Sequence, residues 1–499
     1  MSLWLAIVLP ALPLQLAARA IENTGPLAVV EGPAQRLQVA FCNDAAAACG
    51  IAPGLKLAAA QALARDLIAV ERNREREREA LDELAAWAYQ FSAQIAVRPN
   101  GLLIETGASR RLFGGHARLH RRIGHGLRAL GYAAACGCAV TPQAAWWIAA
   151  ARACGCAAAD APESARLRTA LAPLPLHLAD WEPQTIQALH ALGLATFGDL
   201  LALPRDQVNR RFGTAPVEAL DRALGHVPDP QPPFALPEKF FARLELPAAV
   251  DDAAQLMFPA HRLLRSLEGF LRGRDAGATE LVFTAMHEAR RAQPLPPTSF
   301  ALALAAPERD SERLARLLAE RLARVRLPAP AVALALAVDR LLPFAPRSAA
   351  LLPPAPGNAA DAGWLQLAET LHARLGSARV FQLQCVDDHR PECAYRIVPL
   401  AVDAAERKAP ALATPQRPLL LLERPFALAC RQETPAYGGP LRLVAGPERI
   451  ESGWWECGNP RRAAVFRDYF VARNPRGQTL WIYRELAAPR AWFLHGLFA

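Results

Sequence analysis

The chain has 499 residues, enough for three or four domains at about 150 residues each. With 52% hydrophobic and 21% charged residues it has globular content, which excludes a wholly disordered chain, and its 30 glycines and 43 prolines lack the triplet period of collagen. Lys and Arg number 56, nearly all Arg, against 47 Asp and Glu; the net charge of +9 suits a polyanionic partner and does not exclude a soluble enzyme with small anionic substrates.

The opening apolar run, residues 3–18, has no basic residue ahead of it and is interrupted by Pro10 and Pro13. It is too short to span a bilayer, so no membrane segment is expected and the predicted location is the cytoplasm. Residues 3–8 predict a first strand, 27–30 a second before the Gly32-Pro33 turn, and 38–41 a third. Helices are predicted over 44–49 and 56–65. A longer helix is predicted over 72–90, where alternating Arg and Glu through residue 79 read as a solvated face. A strand over 101–105 leads to Leu112-Phe113-Gly114-Gly115. A helix over 117–130, a strand over 132–140 and a helix over 142–152 follow. The elements alternate without a regular βαβ repeat, which predicts a mixed α+β core.

Residues 175–226 predict a small helical domain. Its helices cover 181–191, a segment capped by Thr196 with Asp199 as a capping box, and 206–212 closed by Gly213. A Pro-rich linker follows over 228–237. Residues 253–271 and 311–324 predict long helices, and 279–286, 300–305 and 332–338 strands, giving two helices on one face of a small sheet. The Pro/Ala-rich run 343–361 reads as a tether. A helix is expected over 364–375, then an aromatic tail with strands over 465–471 and 479–483. The expected domains are therefore 1–174, 175–228 and 238–342, a linker over 343–361, and a C-terminal region over 362–499.

Among ten cysteines, Cys136/Cys138 and Cys154/Cys156 form Cys-x-Cys pairs that raise a zinc reading. Structural zinc sites more often use two intervening residues. Strand alternation puts Cys136 and Cys138 on one face as small apolar fillers, so buried free thiols are expected, with no disulfide, metal or cofactor.

Several strings are specific. Val39-Ala40-Phe41-Cys42-Asn43-Asp44-Ala45-Ala46 precedes Gly50-Ile51-Ala52-Pro53-Gly54-Leu55; Gly101-Leu102-Leu103-Ile104-Glu105 precedes Arg111-Leu112-Phe113-Gly114-Gly115. The tail carries Gly446-Pro447-Glu448-Arg449-Ile450-Glu451-Ser452-Gly453-Trp454-Trp455, Arg467-Asp468-Tyr469-Phe470 and Trp481-Ile482-Tyr483-Arg484. With these strings the whole chain resembles the Y-family lesion-bypass DNA polymerases, in the subgroup called ImuB. The resemblance implies a multidomain right hand: palm and fingers, a thumb with helix-hairpin-helix, a little finger, and a C-terminal extension.

Nucleotidyl transfer needs two Mg²⁺ ions held by carboxylates. The family's metal-ligand positions fall here on Ala6, Val8, Asn100 and Gly101, and its triphosphate grips on Asn43 and Ala46. The expectation is a polymerase-like scaffold that does not polymerise; Glu105 reads as a strand-end acid. The resemblance implies a DNA-bound adaptor in damage-induced translesion synthesis. Its implied partners are the sliding clamp, a RecA-like accessory protein of the ImuA type and an error-prone C-family polymerase. The alternatives are an active translesion polymerase and an interaction scaffold without DNA contact. Candidate DNA contacts are Arg262, Arg265, Arg272, Arg274, Arg313, Arg321, Arg324 and Arg326, with Gly193 and Thr196 of the second hairpin loop. The clamp-peptide candidate is Leu351-Leu352, in a string without the usual leading glutamine. Partner-surface candidates are Trp454, Trp455, Arg467, Asp468, Tyr469, Trp481, Trp492 and Phe493. By alternation with Ile450, Trp454 is expected to be buried and Trp455 to face outward.

Overall fold

The chain opens with β1 (Trp4–Val8), apolar on both faces, and α1 (Leu12–Ala18). A fingers module follows: β2 (Leu27–Glu31), β3 (Gln38–Cys42), α2 (Asp44–Ala48), α3 (Leu57–Leu63) and β4 (Ile68–Glu71), in strand order β3-β2-β4. The chain returns through α4 (Arg74–Ala88) to β5 (Ile95–Arg98), β6 (Gly101–Glu105), α5 (His116–Ala129), β7 (Ala135–Ala139) and α6 (Pro142–Ala153). These build a palm sheet in the order β5-β6-β1-β7, antiparallel throughout. The structure is a computed structural model, and it describes residues 2–18, 25–287, 295–344, 356–375, 379–399, 417–454 and 464–498.

A central strand covered on both sides must be apolar at every position, and β1 is. Leu5 and Ile7 pack with Leu102 and Ile104 against α4 and α5. Ala6 and Val8 face the other way and pack with Leu103, Ala139, Trp146 and Trp147 of β6, β7 and α6. The thumb comprises α7 (Leu167–Leu171), α8 (Pro183–Ala191), α9 (Phe197–Leu201), α10 (Arg205–Phe212) and α11 (Ala215–Leu224). Trp147 stacks on Phe197 at 4.2 Å and joins palm to thumb. The expected capping box between Thr196 and Asp199 starts α9.

The little finger contains β8 (Phe240–Val250), α12 (Met257–Gly273), β9 (Ala276–His287), β10 (Thr298–Glu308), α13 (Ser311–Leu322), β11 (Ala331–Val338) and β12 (Leu341–Pro343). Its main strands run in the order β10-β9-β11-β8, and α12 and α13 share a core with one face of the sheet. The palm and little finger meet at Trp87 of α4. A Cβ on Gly126 of α5 or on Gly269 of α12 would overlap the Trp87 ring, so both helices approach it through glycine.

The same contact corrects the reading of the Arg/Glu alternation as a solvated face. Arg76 and Glu77 are buried. Arg76 pairs with Glu83 at 2.9 Å and donates to the Arg243 carbonyl of β8, while Arg72 pairs with Glu77 at 2.7 Å. Arg74, Glu75, Arg78 and Glu79 are exposed as expected of a solvated face, but α4 also runs along a junction between modules, where the buried Arg76 and Glu77 are each paired.

The helix expected from residue 364 starts earlier: α14 (Pro356–Leu375) takes in the end of the expected tether, where Asn358, Ala359, Ala360 and Asp361 extend it. Arg313 pairs with Glu369 at 2.5 Å, and Ala368 and Ala373 are buried. The chain divides into two compact units, Met1–Arg374 and Leu375–Ala499, so this helix belongs to the first. The second unit has a hairpin of β13 (Phe381–Cys385) and β14 (Tyr395–Pro399). Its remaining strands are β15 (Leu420–Ala427), β16 (Ala429–Arg431), β17 (Thr434–Ala436), β18 (Arg442–Ser452), β19 (Val465–Arg473), β20 (Thr479–Glu485) and β21 (Trp492–Leu497). Five of these form a sheet in the order β15-β21-β20-β19-β18. Among the described residues, no helix is long and apolar enough to cross a membrane.

Candidate functional site

The palm face toward α6 carries Ala6 and Val8, two of the positions that the family resemblance assigns to metal ligands, and it is filled with core. Ala6 is fully buried and Val8 nearly so. Register places Val8 opposite Gly101, and Arg98 opposite Gly101 on the other side, so Arg98, Gly101 and Val8 form one cross-strand row. The charged member of that row is a cation. Arg98 lies over the Trp146 ring at 5.4 Å and donates to Gln231 at 3.1 Å; burial pulls its pKa down. Asn100 sits at the exposed tip of the β5–β6 hairpin, where its carbonyl accepts from Leu9 N–H at 2.8 Å. A side chain at 101 has no room, because its Cβ would overlap the Ile7 carbonyl oxygen. The residues at these positions do not fit a pair of Mg²⁺ ions, which need oxygen donors.

Glu105 survives as a structural acid. Its carboxylate accepts from the N–H groups of Leu3 at 3.0 Å and Gly107 at 2.9 Å, closing the turn after β6 against the start of β1. It lines a cleft of about 1170 Å³ between palm and thumb, with Trp4, Gln94, Arg222 and His226. The nucleotide-gripping positions of the fingers are likewise structural. Asn43 caps α2, accepting from Ala46 N–H at 2.9 Å and Leu27 N–H at 3.0 Å. Ala46 is fully buried among Val30, Val39 and Ile51.

The second hairpin loop spends its own donors. Gly193 takes φ +79°, and its N–H bonds to the His190 carbonyl. The Leu194 N–H bonds to the Leu189 carbonyl, and Asp199 accepts from both Ala195 and Thr196 N–H. In this conformation the loop offers a phosphate no backbone donor from residues 193–196.

Most of the little-finger arginines have protein partners. Arg265 pairs with Glu312 at 3.2 Å, Arg272 with Glu268 at 2.5 Å, and Arg313 with both Glu308 at 2.8 Å and Glu369. Arg274 donates to the Leu236 and Pro237 carbonyls, and Arg324 to that of Arg374. Arg262 lies over Phe258 at 4.6 Å. Arg321 is half-buried and Arg326 is exposed. Leu351 and Leu352 lie outside the described residues.

In the second unit the candidate partner residues fall mainly in the core. Tyr469 and Trp481 are buried and stack at 4.2 Å; Trp492 is buried beneath Arg484. Phe493 stacks on Tyr483 at 5.2 Å. Asp468 is buried and accepts from Arg449 at 2.8 Å. Arg467 donates to Tyr469 Oη at 3.2 Å, and Tyr469 Oη lies 2.8 Å from His495 Nδ1. The expected burial of Trp454 is corrected: it is 69% exposed. Ile450 and Ser452 keep the inward phase, but Gly453 takes φ +83° and turns the chain out of the pleat. Trp455 lies outside the described residues.

Burial pulls His495 down to about 4. Unfolded, this imidazole titrates near 6.5, so between those values the unfolded chain binds the extra proton and stability falls as pH drops. The contribution is intact above pH 6.5 and is lost toward pH 4. His495→Gln is expected to flatten that part of the profile, read from urea midpoints of the full chain between pH 7 and 4.5. Parallel profiles for parent and variant would contradict this.

This is the fold of a Y-family DNA polymerase. The family model described as impB/mucB/samB matches residues 14–150. Among solved structures, a Y-family DNA polymerase chimera is 14% identical with TM-score 0.39, covering 68% of this chain and 100% of its own. DinB from Sulfolobus solfataricus is 14% identical with TM-score 0.37, covering 69% and 100%. Protein ImuB of Caulobacter vibrioides is 31% identical over 479 residues, spanning 90% of this chain and all of that protein. The chain belongs to the ImuB family.

Proposed function

We propose that the chain is a non-catalytic, polymerase-like adaptor in damage-induced translesion synthesis. It bridges primed DNA and the sliding clamp to a RecA-like accessory protein and an error-prone C-family polymerase. What carries this is the row Arg98–Gly101–Val8: a half-buried cation, a position without space and an apolar side chain stand where the family resemblance puts metal-binding carboxylates. A palm kept in shape without its chemistry fits a role in positioning other proteins on DNA.

DNA contact is assigned to the arginine-rich helical side of the little finger, with Arg321 and Arg326 as its leading candidates and a salt-dependent, sequence-independent affinity. Clamp contact is assigned to Leu351 and Leu352. Partner recruitment is assigned to the second unit, with Trp454 as the exposed aromatic anchor. The test is a pull-down of clamp, RecA-like protein and C-family polymerase by the full chain and by a chain ending at Arg374. The reading expects the truncated chain to keep DNA and clamp and to lose the two partner proteins. Retention of both partners by the truncated chain would overturn the recruitment role.

A further inference from the structure

On the opposite side of the palm sheet from the Ala6 row lies a second cluster with different chemistry. His116 and His120 stand four residues apart in the first turns of α5, on one face of the helix. Their rings are 3.8 Å apart. β7 is the edge strand of the sheet, and its Cys138 is fully buried. One donor atom from each of His116, His120 and Cys138 comes within 4.8 Å of the other two. A tetrahedral zinc site with such donors holds them about 3.3–3.8 Å apart, so side-chain adjustment alone closes the gap.

A further observation points to a ligand. His116 Nδ1 and His120 Nε2 are shielded from solvent and have no hydrogen-bond partner, which is uncommon for buried polar atoms. The strand carrying the thiol is also fixed from behind. Asp160 accepts from Cys138 N–H at 2.8 Å, and Arg152 pairs with Asp160 at 3.0 Å while donating to the Cys136 carbonyl at 2.6 Å. These bonds fix the backbone of β7 beneath the thiol.

We propose that His116, His120 and Cys138 bind a zinc-type divalent cation that staples α5 to β7, with water in the fourth position. Two imidazoles and a thiolate select a borderline-soft ion over Mg²⁺, so the site is separate in kind from a polymerase metal centre. Binding forms two metal–nitrogen bonds and one metal–sulfur bond, and the thiol proton leaves to solvent.

The test is a Co²⁺ titration of tag-free, chelator-stripped full-length protein. One equivalent is expected to give tetrahedral d–d bands and a thiolate-to-cobalt charge-transfer band, both bleached by Zn²⁺. Cys138→Ser should abolish the charge-transfer band, and His120→Asn should weaken binding by at least about 100-fold. Cys156→Ser, in the other Cys-x-Cys pair, should change neither. Far-UV circular dichroism checks that each variant is folded, and the parent protein alone is decisive if one is not. A folded parent with no tetrahedral cobalt spectrum, or a spectrum that persists in Cys138→Ser, would overturn the site.

Discussion

Gly101→Glu is expected to cost about 3 kcal/mol or more of stability, although it puts an acid at a position where the family resemblance implies one. A Cβ there would overlap the Ile7 carbonyl oxygen and come within 3.1 Å of the Val8 Cα, so β1 and β6 must separate to admit it. The carboxylate would then enter the face held by Val8, Leu103 and Trp146. Arg98 offers it a partial counter-charge but is already engaged with Gln231 and the Trp146 ring. Asn100→Asp, at the exposed hairpin tip, should change stability by no more than about 0.5 kcal/mol. Urea unfolding of the two single variants separates them. Equal midpoints would mean that the sheet has the slack to rebuild a metal site.

Trp87→Ala is expected to cost about 3–5 kcal/mol, because one ring fills the space between α4, α5 and α12. The complementary change, Gly269→Leu, puts a side chain where that ring already is. It should push the little finger off the palm, seen as a larger radius of gyration in small-angle scattering with near-parental helix content. The buried Arg76, held by Glu83 and the Arg243 carbonyl, lies along the same junction, so both variants should also expose α4 to faster amide exchange. An unchanged radius of gyration would show that the two modules are held together elsewhere.

Much of this architecture was legible because burial leaves a period in the sequence. The palm strands, the two long helices of the little finger and the Thr196–Asp199 box follow from local pattern alone. β8 was missed although Phe240, Ala242, Leu244 and Leu246 alternate inward, because it directly follows a Pro-rich linker that draws attention to turns. What local pattern does not carry is which module covers which face. Arg76 and Glu77 read as surface residues because their partners lie just after β4, in β8 and two turns further along α4. Trp454 read as core because alternation assumes an unbroken strand, and Gly453 breaks it. At the palm site, missing carboxylates were visible as a matter of residue identity, but the role of Arg98 needed the register that sets it beside Gly101. His116, His120 and Cys138 are each unremarkable in the sequence; the i, i+4 histidine pair was the available signal, and only the packing of α5 on β7 brings it to the cysteine.

Primer extension decides whether this palm is a polymerase scaffold without polymerase chemistry. Full-length protein is incubated with a primed template and all four nucleotides in Mg²⁺ or Mn²⁺. No incorporation above a buffer control is expected in either metal, because Ala6, Val8, Asn100 and Gly101 supply no carboxylate. Template-directed incorporation that disappears on Glu105→Ala would contradict it, since that acid would then be holding a metal rather than the turn after β6.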